Sequence, residues 1–265
     1  MLKKPVEIER MRAAGRVVAN VLDSLAEACK PGVTTMDLDK RAASIIAKAG
    51  GRASFLHYKV DKAVYPAHIC ASVNEEVVHG IPGPRVLVDG DIVGVDVGVL
   101  LGGFHADSAA TLAIGRVSAG TQRLLDVTRG SLKAGIREAR AGHRIGSISH
   151  AVQRYVEANG FYVVRELVGH GVGRELHEAP PVPNFGDPHS GVKLRVGMTL
   201  AIEPMVNVGT SDVVGLQDRW TIITADGGLS AHFEHTVAIT EDGADILTLA
   251  GWDVDGLANG TPHGV

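Results

Sequence analysis

The stretch GHGVGRELHEAP, residues 169–180, sets His170 and His177 seven apart, with glycines around the first and prolines after the second. Imidazoles can bind a metal or move a proton near neutral pH. The letters HE at the second site raise the zinc-protease helix HExxH, whose histidines must share one helical face. Four positions past His177 stands Pro181, so that helix cannot form here. The two histidines need separate explanations.

Acids recur within apolar, strand-like runs. In DIVGVDVGV, Val93, Val95, Val97 and Val99 share one face, and Asp96 lies on the other between Gly94 and Gly98. The glycines are expected to leave room beside the carboxylate for something other than side chains. LLGGFH turns the chain at Gly102-Gly103, and pairing outward sets Asp96 against Ala109 and Gly98 against Asp107. Asp96 and Asp107 then become diagonal neighbours on one face, about 7–8 Å apart at the backbone. A lone aspartate at a strand end is ordinarily solvated. Two unpaired carboxylates aimed at one spot instead raise each other's pKa, and a divalent cation between them removes the repulsion.

Glu203 in TLAIEPMV and Glu234 in SAHFEHTVAIT sit in apolar surroundings where an unpaired carboxylate is expensive to bury. Pro204 places the first at a strand end or edge. The second alternates with Phe233 and His235 and projects with His232 and Thr236. Four carboxylates carry about four negative charges, which two divalent cations offset, so a dinuclear centre is favoured. One nitrogen ligand from His170 moves the preference from magnesium or calcium towards manganese, iron, cobalt or zinc.

The elements that must position these groups look duplicated. Residues 5–28 and 36–49 read as helices, separated by KPGVTT with its Pro-Gly stop and threonine cap. About 110 residues later the plan returns: a helix near 121–139, the turn RAGHRIGS, and a helix ending at Asn159-Gly160. Aligning Gly32 with Gly142 brings Leu38 onto Ile148, Ala42 onto Val152 and Gly50 onto Gly160. Among the strands, Gly90 matches Gly197, Asp96 matches Glu203, and Asp107 matches Glu234. The favoured reading is an internal duplication of helix, helix and strands, with the acids facing one another across the join.

The whole chain allows this. With 265 residues it can bury a sizeable core. A net charge of −4 with 21% charged residues gives no footprint for nucleic acid or an anionic membrane. Cys29 and Cys70 are too few for a disulfide framework, no apolar run reaches the length of a membrane span, and the N-terminus lacks a secretory pattern, so a cytoplasmic protein is expected.

Taken together, ICASVNEEVVHGIP, DVGVLLGGFHADSA, GHGVGRELHEAP, LAIEPMV and AHFEHTVAIT resemble the motifs of type I methionine aminopeptidases over about residues 5–250. The resemblance implies the α+β, duplicated pita-bread fold, antiparallel β-sheet covered by helices with a pseudo-two-fold: one catalytic domain over 1–265, with halves of about 5–118 and 119–250 and a short tail at 251–265. It implies removal of the initiator methionine from peptides and nascent chains whose second residue is small. Asp96 would ligate one metal, Asp107 and Glu234 both, and His170 and Glu203 the other. His79 would contact the substrate near the scissile amide nitrogen, His177 its carbonyl oxygen, and Glu203 would also shuttle a proton. Tyr65, Cys70 and Trp220 would line the methionine pocket. Carbonyls at positions matching Asn74, Glu76 and Ser230 can bind a monovalent cation in relatives. A monomer that meets its substrates at the ribosome is implied by the resemblance alone.

Three places depart from the family pattern. Leu176 replaces a common aromatic, Ala106 a usual glycine, and FLHYKVDKAVYP is longer than the common GYxGYP loop. An X-Pro aminopeptidase or prolidase would share the ligands but usually carries a large extra N-terminal domain. A pita-bread binding protein without chemistry would normally lack a ligand, and all five are present. A dinuclear phosphoester hydrolase would need cationic groups for phosphate, and only Arg174 adjoins the motifs.

Overall fold

The computed structural model describes residues 2–251; nearly all of the expected C-terminal tail lies outside the described residues. Four helices occur among them: α1 (Pro5–Ala28), α2 (Thr35–Lys48), α3 (Ala119–Glu138) and α4 (Ile145–Ala158). The strands that build the site are β1 (Cys70–Val73), β2 (Ile92–Leu101), β3 (Phe104–Ala113), β4 (Gly169–Gly171), β5 (Thr199–Ile202), β6 (Met205–Asn207), β7 (Ser230–His232) and β8 (His235–Ile239). None of the described helices is long and apolar enough to cross a membrane.

Local chemistry explains the element boundaries. Thr34 caps α2 by accepting the Asp37 N–H, while Asp37 accepts the Thr34 N–H at 3.1 Å, a reciprocal capping box. Gly102 and Gly103, at φ of 60° and 81°, make the tight turn between β2 and β3. The hairpin runs in the expected register, with Asp96 opposite Ala109 and Gly98 opposite Asp107.

The duplication is visible bond by bond. Gly32 and Gly142, at φ of 95° and 93°, donate to the carbonyls of Leu87 and Leu194. Gly90 and Gly197, at φ of 98° and 88°, donate to Ile114 and Ile239. Two isolated bridges, Thr34 with Val86 and Arg144 with Lys193, occupy equivalent places. Each copy has its own core. Val93, Val95, Val97 and Val99 of β2 pack with α1 and α2 in one, and Leu200, Ile202, Val237 and Ile239 with α3 and α4 in the other. These runs of buried, β-branched and leucine side chains remove apolar surface from water on the faces away from the acids.

The copies meet where β3 lies along β7 and β8. Thr236 Oγ1 donates to the Asp107 carbonyl at 2.8 Å and accepts its N–H at 3.0 Å. Thr111 Oγ1 does the same for the His232 backbone, donating and accepting at 2.8 Å. The Glu234 N–H donates to the Ala109 carbonyl at 2.9 Å. Hydroxyls thus satisfy backbone groups that no regular ladder reaches, and the same contacts bring Asp107 beside Glu234.

Candidate metal centre and active site

Proline chemistry shapes the second half of the site. β5 pairs with β8 through Ile202 and His235, and β6 with β7 through Met205 and His232. Between these pairs lie Glu203-Pro204 on one chain and Phe233-Glu234 on the other. Pro204 has no N–H to give to a ladder, and the Phe233 N–H bridges the interval to the Pro204 carbonyl at 3.4 Å. Glu234 was expected to alternate within one continuous strand. It instead occupies the break between β7 and β8, at 2% exposure.

The expected ligands converge there. Ligand atoms of Asp107, His170 and Glu234 all lie within 4.8 Å of one another. His170 Nδ1–H donates to the Gly171 carbonyl at 2.8 Å, which leaves Nε2 unprotonated and 3.5 Å from Glu203 Oε1; a fixed outer hydrogen bond of this kind orients a ligating imidazole. Asp96, Asp107 and Glu234 each keep a buried carboxylate oxygen with no hydrogen-bond partner. Buried polar atoms are rarely left so.

Charge makes the same point. Burial first, then neighbouring carboxylates, pushes Asp96, Glu203 and Glu234 well above the usual acid range, and burial raises Asp107 to about 7. Burial also lowers His170 to about 4, with the His177 charge adding to it. Each shift expresses the cost of ionising a carboxylate here without a counter-charge. Oxygen donors with one imidazole nitrogen and no compensating lysine or arginine form a donor set that fits divalent cations.

Above the acids a cavity of about 300 Å³ is lined by Tyr65, Cys70, Leu176 and Trp220 as well as by Asp96, Glu203 and Glu234. A second cleft of about 340 Å³ shares His79, His170, His177 and Glu203 with it. His79, His177 and Glu203 therefore stand where apolar pocket and open cleft meet. Tyr65 is held by its hydroxyl, whose single proton lies between the carbonyls of Gly80 at 2.9 Å and Ile69 at 3.1 Å, and its ring meets Trp220 edge-on at 5.1 Å. Burial raises the Cys70 thiol, so it lines the pocket as a neutral, inert group. Burial lowers His79 to about 4 and lowers His177.

The loop carrying His177 is tied to the N-terminal segment. Glu178 accepts from Lys3 Nζ at 2.6 Å and from the Arg174 N–H at 2.8 Å. Arg174 itself pairs with Glu7 at 2.7 Å and covers the Phe104 ring. The single basic residue near the motifs is thus engaged away from the acids.

One expectation fails in detail. A Cβ at Gly98 would lie 2.8 Å from the Ser54 Cβ and 3.1 Å from the Phe55 ring, so this glycine admits the 54–55 segment against the strand and does not clear space for an ion. Phe55, Tyr58 and Val60 also line the cavity, and Phe55 packs with Leu176, Tyr65 and Cys70. Phe55 thus sets an aromatic ring beside Leu176 in the cavity wall. His232 is a further residue at the centre: its buried Nε2 lies 3.7 Å from Glu203 Oε2 without a hydrogen bond, and burial holds it at about 3. Its shared projection with Glu234 was the available signal. Of the three positions matched to a monovalent-cation site, Ser230 donates its N–H to the Asn74 carbonyl at 2.9 Å, and Glu76 accepts from the Val73 N–H.

Comparison with known proteins agrees with this geometry. Residues 9–241 match the model of metallopeptidase family M24. Methionine aminopeptidase 1 of Bacillus subtilis is 52% identical over 246 residues, covering 93% of this chain and 98% of the relative. The structure of methionine aminopeptidase from Thermotoga maritima superposes with a TM-score of 0.91 at 46% identity, over 94% of this chain and 98% of that one. Prolidase from Pyrococcus horikoshii, at 20% identity and a TM-score of 0.75, shares the fold over 94% of this chain and 63% of its own.

Proposed function

The chain belongs to metallopeptidase family M24, and we infer from that membership and from the site that it is a methionine aminopeptidase, a metal-dependent hydrolase that removes an N-terminal methionine. The observation that carries the reading is the set of unpartnered carboxylate oxygens of Asp96, Asp107 and Glu234 at the floor of an apolar cavity. The pita-bread domain is read as one catalytic unit with halves of about 5–118 and 119–250, and the site uses acids from both.

Asp96, Asp107, His170, Glu203 and Glu234 would hold two divalent cations, drawn from manganese, iron, cobalt or zinc. When bound, such ions supply Lewis acidity and make water nucleophilic near neutral pH. The chain's own groups do the rest. Tyr65, Cys70 and Trp220, with Phe55 and Leu176, take the methionine side chain; an unbranched thioether suits a pocket of mixed aromatic and aliphatic walls. His177 donates a proton in a hydrogen bond to the scissile carbonyl oxygen as negative charge develops there. Glu203 moves a proton to the leaving amine, and His79 meets the amide nitrogen of the bond that breaks. All the site residues come from one chain, which supports a monomer; family membership supports action on peptide and nascent-chain N-termini, and the cytoplasm is the compartment this reading assigns. Contact with the ribosome and a monovalent cation near Asn74, Glu76 and Ser230 remain part of the same reading.

The test is to assay the metal-free chain, before and after adding manganese, iron or cobalt, on Met-Ala-Ser and on an X-Pro peptide. Methionine release only after metal addition is expected. Cleavage of the X-Pro peptide alone would overturn the reading.

A further inference from the structure

The longer loop after Phe55 folds as a hairpin that ends against His177. Lys59 pairs with Val64 and Val60 with Ala63. Below them the Tyr65 N–H donates to the Tyr58 carbonyl at 2.8 Å, and the His57 N–H donates to the Tyr65 carbonyl at 2.9 Å. A further bond from the Tyr58 N–H to Phe55, at 2.8 Å, fixes the root. Tyr58 is therefore placed from Tyr65, a pocket residue that is itself anchored through its hydroxyl. The Tyr58 hydroxyl lies 2.6 Å from His177 Nδ1, and the two rings meet at 5.2 Å and 66°. The imidazole also meets the His170 ring at 4.3 Å and 67°.

We propose that Tyr58 is a positioning residue for His177: its hydroxyl donates to Nδ1, holding the imidazole in the tautomer whose proton is on Nε2 and faces the substrate carbonyl. The proposal deepens the reading of His177 given above and rests on it.

The direction of the bond follows from the partners. A phenol is a far stronger acid than a neutral imidazole N–H, and imidazole nitrogen is a far stronger base than phenol oxygen. O–H to N is therefore the favoured arrangement, and 2.6 Å suits a hydroxyl donor. Among the described residues Nδ1 is the only hydrogen-bond partner of the Tyr58 hydroxyl. Burial, with the Glu175 charge second, raises the phenol and keeps it protonated. With Nδ1 occupied, Nε2 is the nitrogen left for the clefts that His177 lines. The opposite tautomer would present a lone pair to the carbonyl oxygen and repel it. Two ring contacts and one hydrogen bond leave the imidazole little freedom to turn over.

The experiment reads the tautomer directly. Histidine-labelled full chain, loaded with diamagnetic zinc and without substrate, is examined by nitrogen-15 NMR, with the His177 signals identified by their loss in His177→Ala. The expected spectrum has an unprotonated, hydrogen-bonded Nδ1 and a protonated Nε2. In Tyr58→Phe the signals should shift towards a mixture of tautomers. On Met-Ala-Ser, kcat should fall about fivefold to tenfold with KM changed less than about twofold, the signature of a group acting through the transition state. A wild-type Nδ1 that carries the proton would overturn the proposal, as would a Tyr58→Phe chain with unaltered tautomer and kcat. If that variant does not fold, the wild-type spectrum still decides. A wild-type chain that cleaves no methionyl peptide overturns the assigned activity instead, and the spectrum judges the hydrogen bond separately.

Discussion

Glu203 stands opposite Glu234 in the register set by the pairs Ile202–His235 and Met205–His232. Like charges directly opposite on paired chains repel. Pro204 breaks the ladder at this point, and the two glutamates take the opened interval with Asp107 beside them. The fold therefore concentrates negative charge where it has removed both water and regular backbone pairing, which is the electrostatic case for cations.

Asp107→Asn should separate metal binding from folding. The amide keeps the shape but removes a charge from the buried cluster. We expect metal content to fall below that of the wild type and kcat/KM to drop by more than about a hundredfold, while the thermal midpoint of the metal-free protein holds or rises. Unchanged metal content, measured by elemental analysis, would sink the bridging role.

The metal-free protein should lose stability as pH rises above about 6.5. Asp107, near 7, and Asp96, Glu203 and Glu234, raised well above the usual acid range, bind protons in the folded state that they release when unfolded. Their stabilisation is complete below the ordinary acid range and is lost as pH climbs through the folded pKa, at about 1.4 kcal/mol per pH unit for each proton released. His79, His170 and His232, depressed to about 4, 4 and 3, act oppositely, but their effect is complete once pH exceeds the ordinary histidine value of 6.5. Thermal melts between pH 6.5 and 8.5 thus isolate the acids. Manganese should raise the midpoint more at the alkaline end, and a flat profile without metal would contradict the charge cluster.

His177→Ala should reduce kcat on Met-Ala-Ser by about 10²–10³, the usual cost of one oxyanion donor. Metal content should not change, since the assigned ligands remain. An active variant would show that the carbonyl oxygen is held by another group.

Leu176→Ala tests the pocket independently of the chemistry. Leu176 is 3% exposed and packs with Phe55, Tyr65 and Cys70. Losing about 2 kcal/mol of apolar contact with the methionine side chain should raise KM by about tenfold or more, with kcat much less affected. A change confined to kcat would move Leu176 from the pocket wall to a role in placing His177.

Much of this site was legible because its geometry follows from strict periodicities. The Gly102-Gly103 turn fixes the pairing of β2 with β3, so Asp96 and Asp107 could be placed on one face from the letters alone. The repeat of Gly32 at Gly142 and of Gly90 at Gly197 could be read because a positive φ restricts the residue type. What stayed hidden depends on contacts between segments distant in sequence. Gly98 looked like space and is the footprint of Ser54 and Phe55, which arrive from another part of the chain. Glu234 looked like mid-strand because the proline that breaks its ladder lies on the partner strand. Tyr58 is 119 residues from His177, and no local pattern joins them.

The crossing of β3 with β7 and β8 has a mechanical consequence. Asp107 and Glu234 belong to different repeats, and the hydroxyl contacts of Thr111 and Thr236 cross the seam between them beside apolar contacts such as Ile92 and Ala110 against the second core. An ion shared by these two acids would act as a rivet through that seam, closing a loop of more than a hundred residues. Stripping the ion should let amide hydrogens along β3 and β8 exchange faster while those in the β2 and β5 cores keep their protection.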